Sequence, residues 1–350
     1  MRPPGQTVPR RGWIVFAAAV AALVVFLAVY FQRGFIPGDA TVYLAAGQRL
    51  NTGHHLYSLS PGDSPVGLKP PYWTVPLLSP PLIGVIFRPL AALPGSSGAY
   101  VWWALTISAM ASSLLLLARQ RPGLTGLALL LLVIPVTYEI GVGNVNALLL
   151  LGALGTWWLA TRGREQAAGA VVAAMVAVKL TPGVFVLWLL VQRRWRALAA
   201  CVVAGLVLLG VGIAGAGLQA HLDFLGIARQ TNVNGTSDLS LAGMARFVGV
   251  PGSIADLLPW AALGAGLLAM LALRNRPGPS FAAAVVTWVF ASPVVNINTF
   301  ALLLAALAPT AWPEPAAERP PLAEPAPGRK SPATVQAGEG SSAIDSTRTW

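Results

Sequence analysis

The chain has 350 residues, of which 55% are hydrophobic and only 10% charged. Soluble domains carry about 25% charged residues, so most of this surface is expected to face lipid, and a soluble enzyme is excluded. The formal net charge of +11 sits on arginines grouped in short stretches between apolar runs, a membrane-topology signal rather than a nucleic-acid footprint.

The first apolar run, Trp13–Tyr30, follows Arg10 and Arg11. No small-residue cleavage site follows it, and further spans do, so it reads as a retained first helix behind a cytoplasmic segment, residues 1–12. The polar stretch Phe31–Pro76 comes next. Within it, Asp39 follows Pro37-Gly38 and opens Gly38-Asp39-Ala40-Thr41-Val42-Tyr43, which leads into a helix-like stretch to Leu50. A carboxylate at the membrane boundary is placed to act as a general base. Asp is also a favoured helix N-cap, and the two roles are compatible. His54 and His55 are adjacent, so on regular structure they point apart, and no acid stands at ligand spacing. A sugar- or headgroup-binding loop is expected there rather than a metal site. Leu77–Leu93 is apolar but carries Arg88 and is broken by Pro80, Pro81 and Pro89; it is expected as an interfacial or re-entrant helix pair.

Nine further runs are Tyr100–Leu117, Leu124–Tyr138, Asn144–Ala160, Ala167–Val178, Pro182–Val191, Ala197–Gly217, Ile254–Leu273, Phe281–Ala291 and Val294–Ala311. Several fall short of the roughly 20 residues of a full span, and their ends abut polar residues, as in helices that stop at a cavity. Cys201, the single cysteine, lies inside one of them; it excludes an internal disulfide and a cysteine-cluster metal centre.

The basic loops Arg10/Arg11, Arg119/Arg121, Arg162/Arg164, Arg193/Arg194/Arg196 and Arg274/Arg276 are expected in the cytoplasm. The ten runs place all of them on one side only if Ala167–Val191 is split at Lys179-Leu180-Thr181-Pro182. Pro182 supports the split, because proline disfavours helix at the residue before it. The opposite side then collects Phe31–Pro76, Glu139–Asn146, the Lys179 break, Leu218–Ser253 and Ser292–Asn298. The tail Pro313–Trp350, rich in Pro, Ala, Glu, Gly and Ser, is expected to be disordered in the cytoplasm.

Lys179 is one of three lysines against twenty arginines. An ammonium at membrane depth costs about 2.5–3.5 kcal/mol on insertion scales, so Lys179 is expected either to contact a phosphate in a polar cavity or to sit in a structural salt bridge or snorkel. Glu139, at the end of a span, would bind sugar hydroxyls, pair with Lys179, or merely form an interfacial turn. Asn144 and Asn146 cap the next helix and are candidates to line the cavity. Asn232, Asn234, Ser237 and Asp238 make a polar cluster, or a plain loop, before the amphipathic stretch Leu239–Val248. There is no phosphate-loop lysine motif, no dinucleotide-binding glycine fingerprint, and no Asp-x-Asp near Gly38-Asp39, which argues against a metal-dependent nucleotide-sugar enzyme.

Taken in order, Asp39-Ala40-Thr41-Val42-Tyr43 with Gly53-His54-His55-Leu56-Tyr57, the proline-rich Ser79-Pro80-Pro81 with Pro89-Leu90, Gly143-Asn144-Val145-Asn146, Val178-Lys179-Leu180-Thr181-Pro182, Arg193-Arg194-Trp195-Arg196, Asn232-Val233-Asn234-Gly235 and Ser292-Pro293 resemble the bacterial polyprenol-phosphate-mannose-dependent alpha-mannosyltransferases, glycosyltransferase family eighty-seven. The resemblance spans roughly residues 13–311. It implies the GT-C fold, an all-α polytopic membrane bundle of about ten transmembrane helices with an outer-face cavity. It further implies a polyprenyl-phosphate sugar donor, a hexose leaning to mannose, and a lipid or glycan acceptor on the extracytoplasmic side, with no metal or other cofactor. Asp39 matches the acidic residue of the first outer loop, the expected catalytic base, and Lys179 the lysine expected near the donor phosphate. Tyr43, His54, His55, Glu139, Asn144, Asn146, Asn234, Asn296 and Asn298 are the expected sugar- and acceptor-binding residues.

One departure stands out. After Ser292-Pro293 the family tends to carry tryptophan and histidines, where this chain has Val294-Val295-Asn296-Ile297-Asn298-Thr299. Asparagine hydrogen-bonds but does not titrate. A catalytically inactive lipid-binding or assembly protein therefore stays open as an alternative, as does a lipid or solute transporter, which broken helices around a lysine also fit.

Overall fold

A computed structural model describes residues 10–33, 37–57, 77–227 and 238–313, and among these every regular element is helical. Residues 1–9 of the expected N-terminal segment 1–12, Asn234 and its neighbours, and the tail beyond Pro313 lie outside the described residues.

Helices α1 (Arg10–Gln32), α2 (Gly38–Asn51), α3 (Pro81–Ala91) and α4 (Ser97–Gln120) are followed by α5 (Pro122–Leu131), α6 (Val133–Val142), α7 (Asn146–Thr161) and α8 (Glu165–Val178). Then come α9 (Val184–Val191), α10 (Trp195–Ile227), α11 (Leu241–Phe247), α12 (Gly252–Ala255), α13 (Leu258–Ala272) and α14 (Pro277–Phe290). A 3₁₀ segment, Ile297–Leu307, and α15 (Ala308–Ala311) complete the order. Helices α1 and α4 and the stretches Trp195–Gly226 and Gly252–Ala272 are long and apolar enough to cross a membrane, and the α5–α6 pair is a fifth, bent candidate. Shorter apolar helices, 10–17 residues each, fill in between them. The protein is thus an all-α polytopic membrane protein.

Four expectations need correction. Leu124–Tyr138 is not one continuous helix: α5 and α6 meet at 76°. Pro135 has no N–H to return to Leu131 and its ring crowds that carbonyl, which breaks the ladder there. Leu77–Leu93 holds one helix, α3, rather than a pair, because Pro81 starts it at a position where no N–H is needed. Its partner is α2: a Cβ on Gly47 would lie 2.6 Å from the Phe87 carbonyl. The stretch Leu218–Ser253, expected to be a loop, begins as helix, since α10 continues past Gly217, whose φ of 83° makes the kink and suits only glycine. Finally, Val294–Ala311 is mainly 3₁₀, and at about 2.0 Å per residue this tighter coil carries a short segment further than an α-helix would.

The split at Lys179 is present. α8 ends at Val178, Lys179 is extended (φ −154°, ψ 129°), and a short 3₁₀ turn, Thr181–Gly183, leads into α9. Pro182 cannot donate to Val178, and Trp288 Nε1 pins the break by donating to Thr181 Oγ1 at 3.0 Å. Behind it, Trp157, Phe185, Trp188, Phe281 and Trp288 form a fully buried aromatic cluster joining α7, α9 and α14.

The helices have two distinct ends. At one, Arg194 donates to Ala160 O (2.8 Å) and pairs with Glu165 (3.5 Å), Arg121 donates to Thr310 O (3.0 Å), and Gly12 packs on Gly123. At the other end of α7 and α8 stand Asn146 and Lys179. The basic loops and the polar turns are therefore separated by the length of these helices.

Candidate functional site

The centre of the site is the connection between α6 and α7. Gly143 stops α6 in the left-handed conformation, φ 66° and ψ 39°, which a side chain resists. Trp102 Nε1 holds its carbonyl at 2.8 Å, and Trp103 Nε1 donates to Ile140 O one turn earlier. With the turn fixed, two side chains cap the start of α7. Asn144 Oδ1 accepts from Asn146 N at 2.9 Å, and Glu139 Oε1 accepts from Ala147 N at 2.8 Å. A carboxylate at a helix N-terminus is favoured by the helix dipole.

From this turn a continuous chain of hydrogen bonds runs both ways. Asn144 Nδ2 donates to Asp39 Oδ2 at 2.6 Å. Lys179 Nζ donates to Asn146 Oδ1 at 2.9 Å, and the same amide's Nδ2 donates to Glu139 Oε2 at 3.2 Å. Asn298 Nδ2 donates to that Glu139 oxygen at 2.9 Å. Glu139 is fully buried, Asn146 and Asn298 nearly so; a buried carboxylate is tolerated only when its lone pairs are satisfied in this way. Asp39 and Lys179, at the two ends, stay partly exposed.

Asp39 is not the N-cap of α2. It lies in the first turn, behind Pro37, and its carboxylate is committed to Asn144. Burial raises its pKa above the ordinary carboxylate value, while the Asn144 hydrogen bond and then the Lys179 charge pull it down. Lys179 pairs directly with neither carboxylate among the described residues; Asn146 stands between. The Lys179 ammonium is held by an amide rather than by a direct salt bridge.

The structure thus brings together Asp39, Glu139, Asn144, Asn146, Lys179 and Asn298. Tyr43 joins this group at the turn backbone, while His54 and His55 stand apart from it. Tyr43 is buried with its ring against Phe87 and Trp102, at centroid distances of 5.2 and 6.2 Å, and its hydroxyl reaches Ser79 and the Val145 backbone of the same turn, close to Asp39 and Glu139. His54 and His55 are exposed, and His54 Nδ1 shares a 2.7 Å hydrogen bond with Thr52. Asn296 is exposed, just before the 3₁₀ segment. Asn234 lies outside the described residues. Sequence reasoning missed Trp102 and Trp103, whose indoles fix the turn; tandem tryptophans on an apolar run read as ordinary core.

Beside the network lies an apolar cavity of about 280 Å³ between α3, α4, α7 and α8. Its lining includes Ile83, Trp102, Val145, Leu149, Met175 and Val178. Val145 and Val178 adjoin Asn146 and Lys179 in sequence, so the cavity abuts the lysine end of the chain of hydrogen bonds. No group of His, Cys, Asp or Glu among the described residues is arranged to hold a metal ion.

Fold and site together define a helical membrane protein with a carboxylate and an ammonium linked through amides beside an apolar cavity. The sequence model of glycosyltransferase family 87 matches residues 78–296, and the chain belongs to that family. Over 250 residues it is 28% identical to the polyprenol-phosphate-mannose-dependent alpha-(1-2)-phosphatidylinositol pentamannoside mannosyltransferase of Mycobacterium tuberculosis, covering 67% of this chain and 56% of that protein. It is also 28% identical, over 252 residues, to the protein of the same name from Mycolicibacterium smegmatis, covering 67% of this chain and 58% of the relative. The chain therefore spans little more than half the length of the curated relatives it matches. No solved structure matches it.

Proposed function

We propose that the protein is an integral-membrane hexosyltransferase. It moves mannose from a polyprenyl-phosphate carrier to a lipid or glycan acceptor at the extracytoplasmic face, with inversion and with Lys179 supplying the positive charge that a metal supplies elsewhere. One observation carries this reading: a single turn, residues 143–146, holds a carboxylate and an ammonium through asparagine amides rather than by direct contact between them. Both charged ends are partly exposed while the groups between them are buried. The named activity of the two mycobacterial relatives supports the donor class, and their phosphatidylinositol-based acceptor supports a glycolipid acceptor.

In this scheme Asp39 takes the proton of an acceptor hydroxyl while that oxygen attacks the anomeric carbon. The bond from that carbon to the phosphate oxygen breaks, and polyprenyl phosphate leaves with the electron pair from the opposite face. Lys179 stabilises the charge that develops on the phosphate. A phosphate leaves without being protonated, so one carboxylate suffices. The apolar cavity seats the first isoprenoid units of the carrier. Transfer of label from radiolabelled polyprenyl-phosphate mannose to extracted lipids tests the whole reading. Labelled donor that crosses or binds the membrane without transfer would point instead to a transporter or an inactive lipid-binding protein.

Two further results are expected. With Cys201 replaced by Ser, single cysteines at Thr161 and Asn275 should resist an impermeant thiol reagent applied from outside, because the arginines flanking both mark cytoplasmic loops; ready labelling would invert the proposed sidedness. Asn146→Asp should lower turnover about 10- to 100-fold. The new carboxylate would pair directly with Lys179 and face Glu139 with like charge, where the amide now donates to one and accepts from the other. Full turnover in this variant would show that the amide's polarity is irrelevant.

A further inference from the structure

Asp238 is a second buried carboxylate, 4% exposed, that the transfer scheme does not use. Its Oδ1 accepts from Ser240 N at 2.9 Å and from Val295 N at 3.1 Å, and its Oδ2 accepts from the Ser240 hydroxyl at 2.8 Å. Leu239 N donates in turn to Val295 O at 2.7 Å. Both the N–H and the carbonyl of Val295 are therefore held by residues 238–239. Asp238 also packs closely on α11, where a Cβ on Gly243 would lie 2.9 Å from Asp238 Cβ and Cγ. Ser240 alone is enough to cap α11, its hydroxyl accepting from Gly243 N at 3.0 Å, so the bond to Val295 serves something other than that cap.

Val295 lies three residues before Asn298, which donates to Glu139 at 2.9 Å. Within the turn between Ser292 and Asn298, Ser292 Oγ donates to Val294 O at 2.9 Å and Thr299 N to Asn296 O at 2.9 Å. A backbone held at both its N–H and its carbonyl is fixed where that grip puts it. We infer that Asp238 is a positioning residue: it fixes this turn so that Asn298 keeps Glu139 aimed at Asn146, and through Asn146 holds Lys179 in place. Only the kinetic part of its test rests on the transferase reading.

The test uses the full chain in lipid nanodiscs as Asp238→Ala, Asp238→Asn, Asn298→Ala and the Asp238→Ala/Asn298→Ala double variant. Each alanine variant is expected to lower kcat for transfer from radiolabelled polyprenyl-phosphate mannose about 10- to 100-fold, the scale of a small misplacement in a site. The double variant should fall within about threefold of the worse single one, because the two residues act along one path. Asp238→Asn retains a carbonyl oxygen for the Ser240 and Val295 amides and should recover most of the turnover. Additive losses, or wild-type kcat in Asp238→Ala, would overturn the inference. Hydrogen exchange provides an arm that needs no activity. In Asp238→Ala, the Val295 amide and the Ala147 amide, which donates to Glu139, should both exchange faster. Unchanged protection at Ala147 would overturn the link to Glu139 even if the wild type transferred no sugar, whereas absence of transfer with both amides released would count against the transferase reading alone.

Discussion

Asp39→Asn is expected to lower mannose transfer by about 10²- to 10⁴-fold, the usual worth of general-base assistance. The substitution keeps the size of the side chain and retains an oxygen to accept the Asn144 hydrogen bond, so the fold should be preserved and the loss should appear in turnover. The pH dependence gives a second reading of the same group. Burial favours the neutral form of this carboxyl and raises its pKa above the ordinary 3.8, with Asn144 and Lys179 opposing. A base acts only when deprotonated, so wild-type transfer should rise as pH climbs through that raised value and be lost as pH falls below it. The acid limb of kcat/KM should disappear in Asp39→Asn. A variant that keeps near-wild-type transfer, or the same acid limb, would remove Asp39 from the role of base.

Lys179→Ala is expected to cost about 10²–10³ in kcat, the scale measured when one group stabilising a developing oxyanion is removed. Donor KM should rise as well, because the ammonium also meets the phosphate in the ground state. Lys179→Arg keeps the charge, but its planar fork replaces a point donor aimed at Asn146 Oδ1, so it should recover only part of the turnover. Saturation kinetics with radiolabelled donor separate these effects. Equal turnover in Lys179→Ala would show that the lysine serves only the packing of the break between α8 and α9.

Much of the frame was legible from local chemistry. The apolar runs gave α1, α4 and the long part of α10 nearly to their ends, and Pro182 marked the break that leaves Lys179 extended. The scarcity of charge also made Asp39, Glu139 and Lys179 conspicuous before any coordinates. Where local reading failed, a different local feature had the stronger effect. Pro135 bent an apparently continuous span into α5 and α6, Pro81 began a helix instead of interrupting one, and Gly217 let α10 turn and continue into what had read as a loop.

Hydropathy, proline sterics and the left-handed tolerance of glycine act within a few residues, which is why the sequence by itself determined that this is a helical membrane protein with a polar turn at Gly143–Asn146 and a broken helix at Lys179. Which polar groups meet was decided only by tertiary packing. Asn144 and Asp39 are 105 residues apart, and Asn298 and Glu139 are 159 apart. No spacing rule links such positions. They meet because α2, α6, α7 and the 3₁₀ segment converge, and because a buried carboxylate such as Glu139 must find donors wherever the packing supplies them. The same packing buried Tyr43 against Phe87 and Trp102 with its hydroxyl at the Val145 backbone and left His54, His55 and Asn296 exposed, since a side chain's own chemistry does not say which neighbours will cover it.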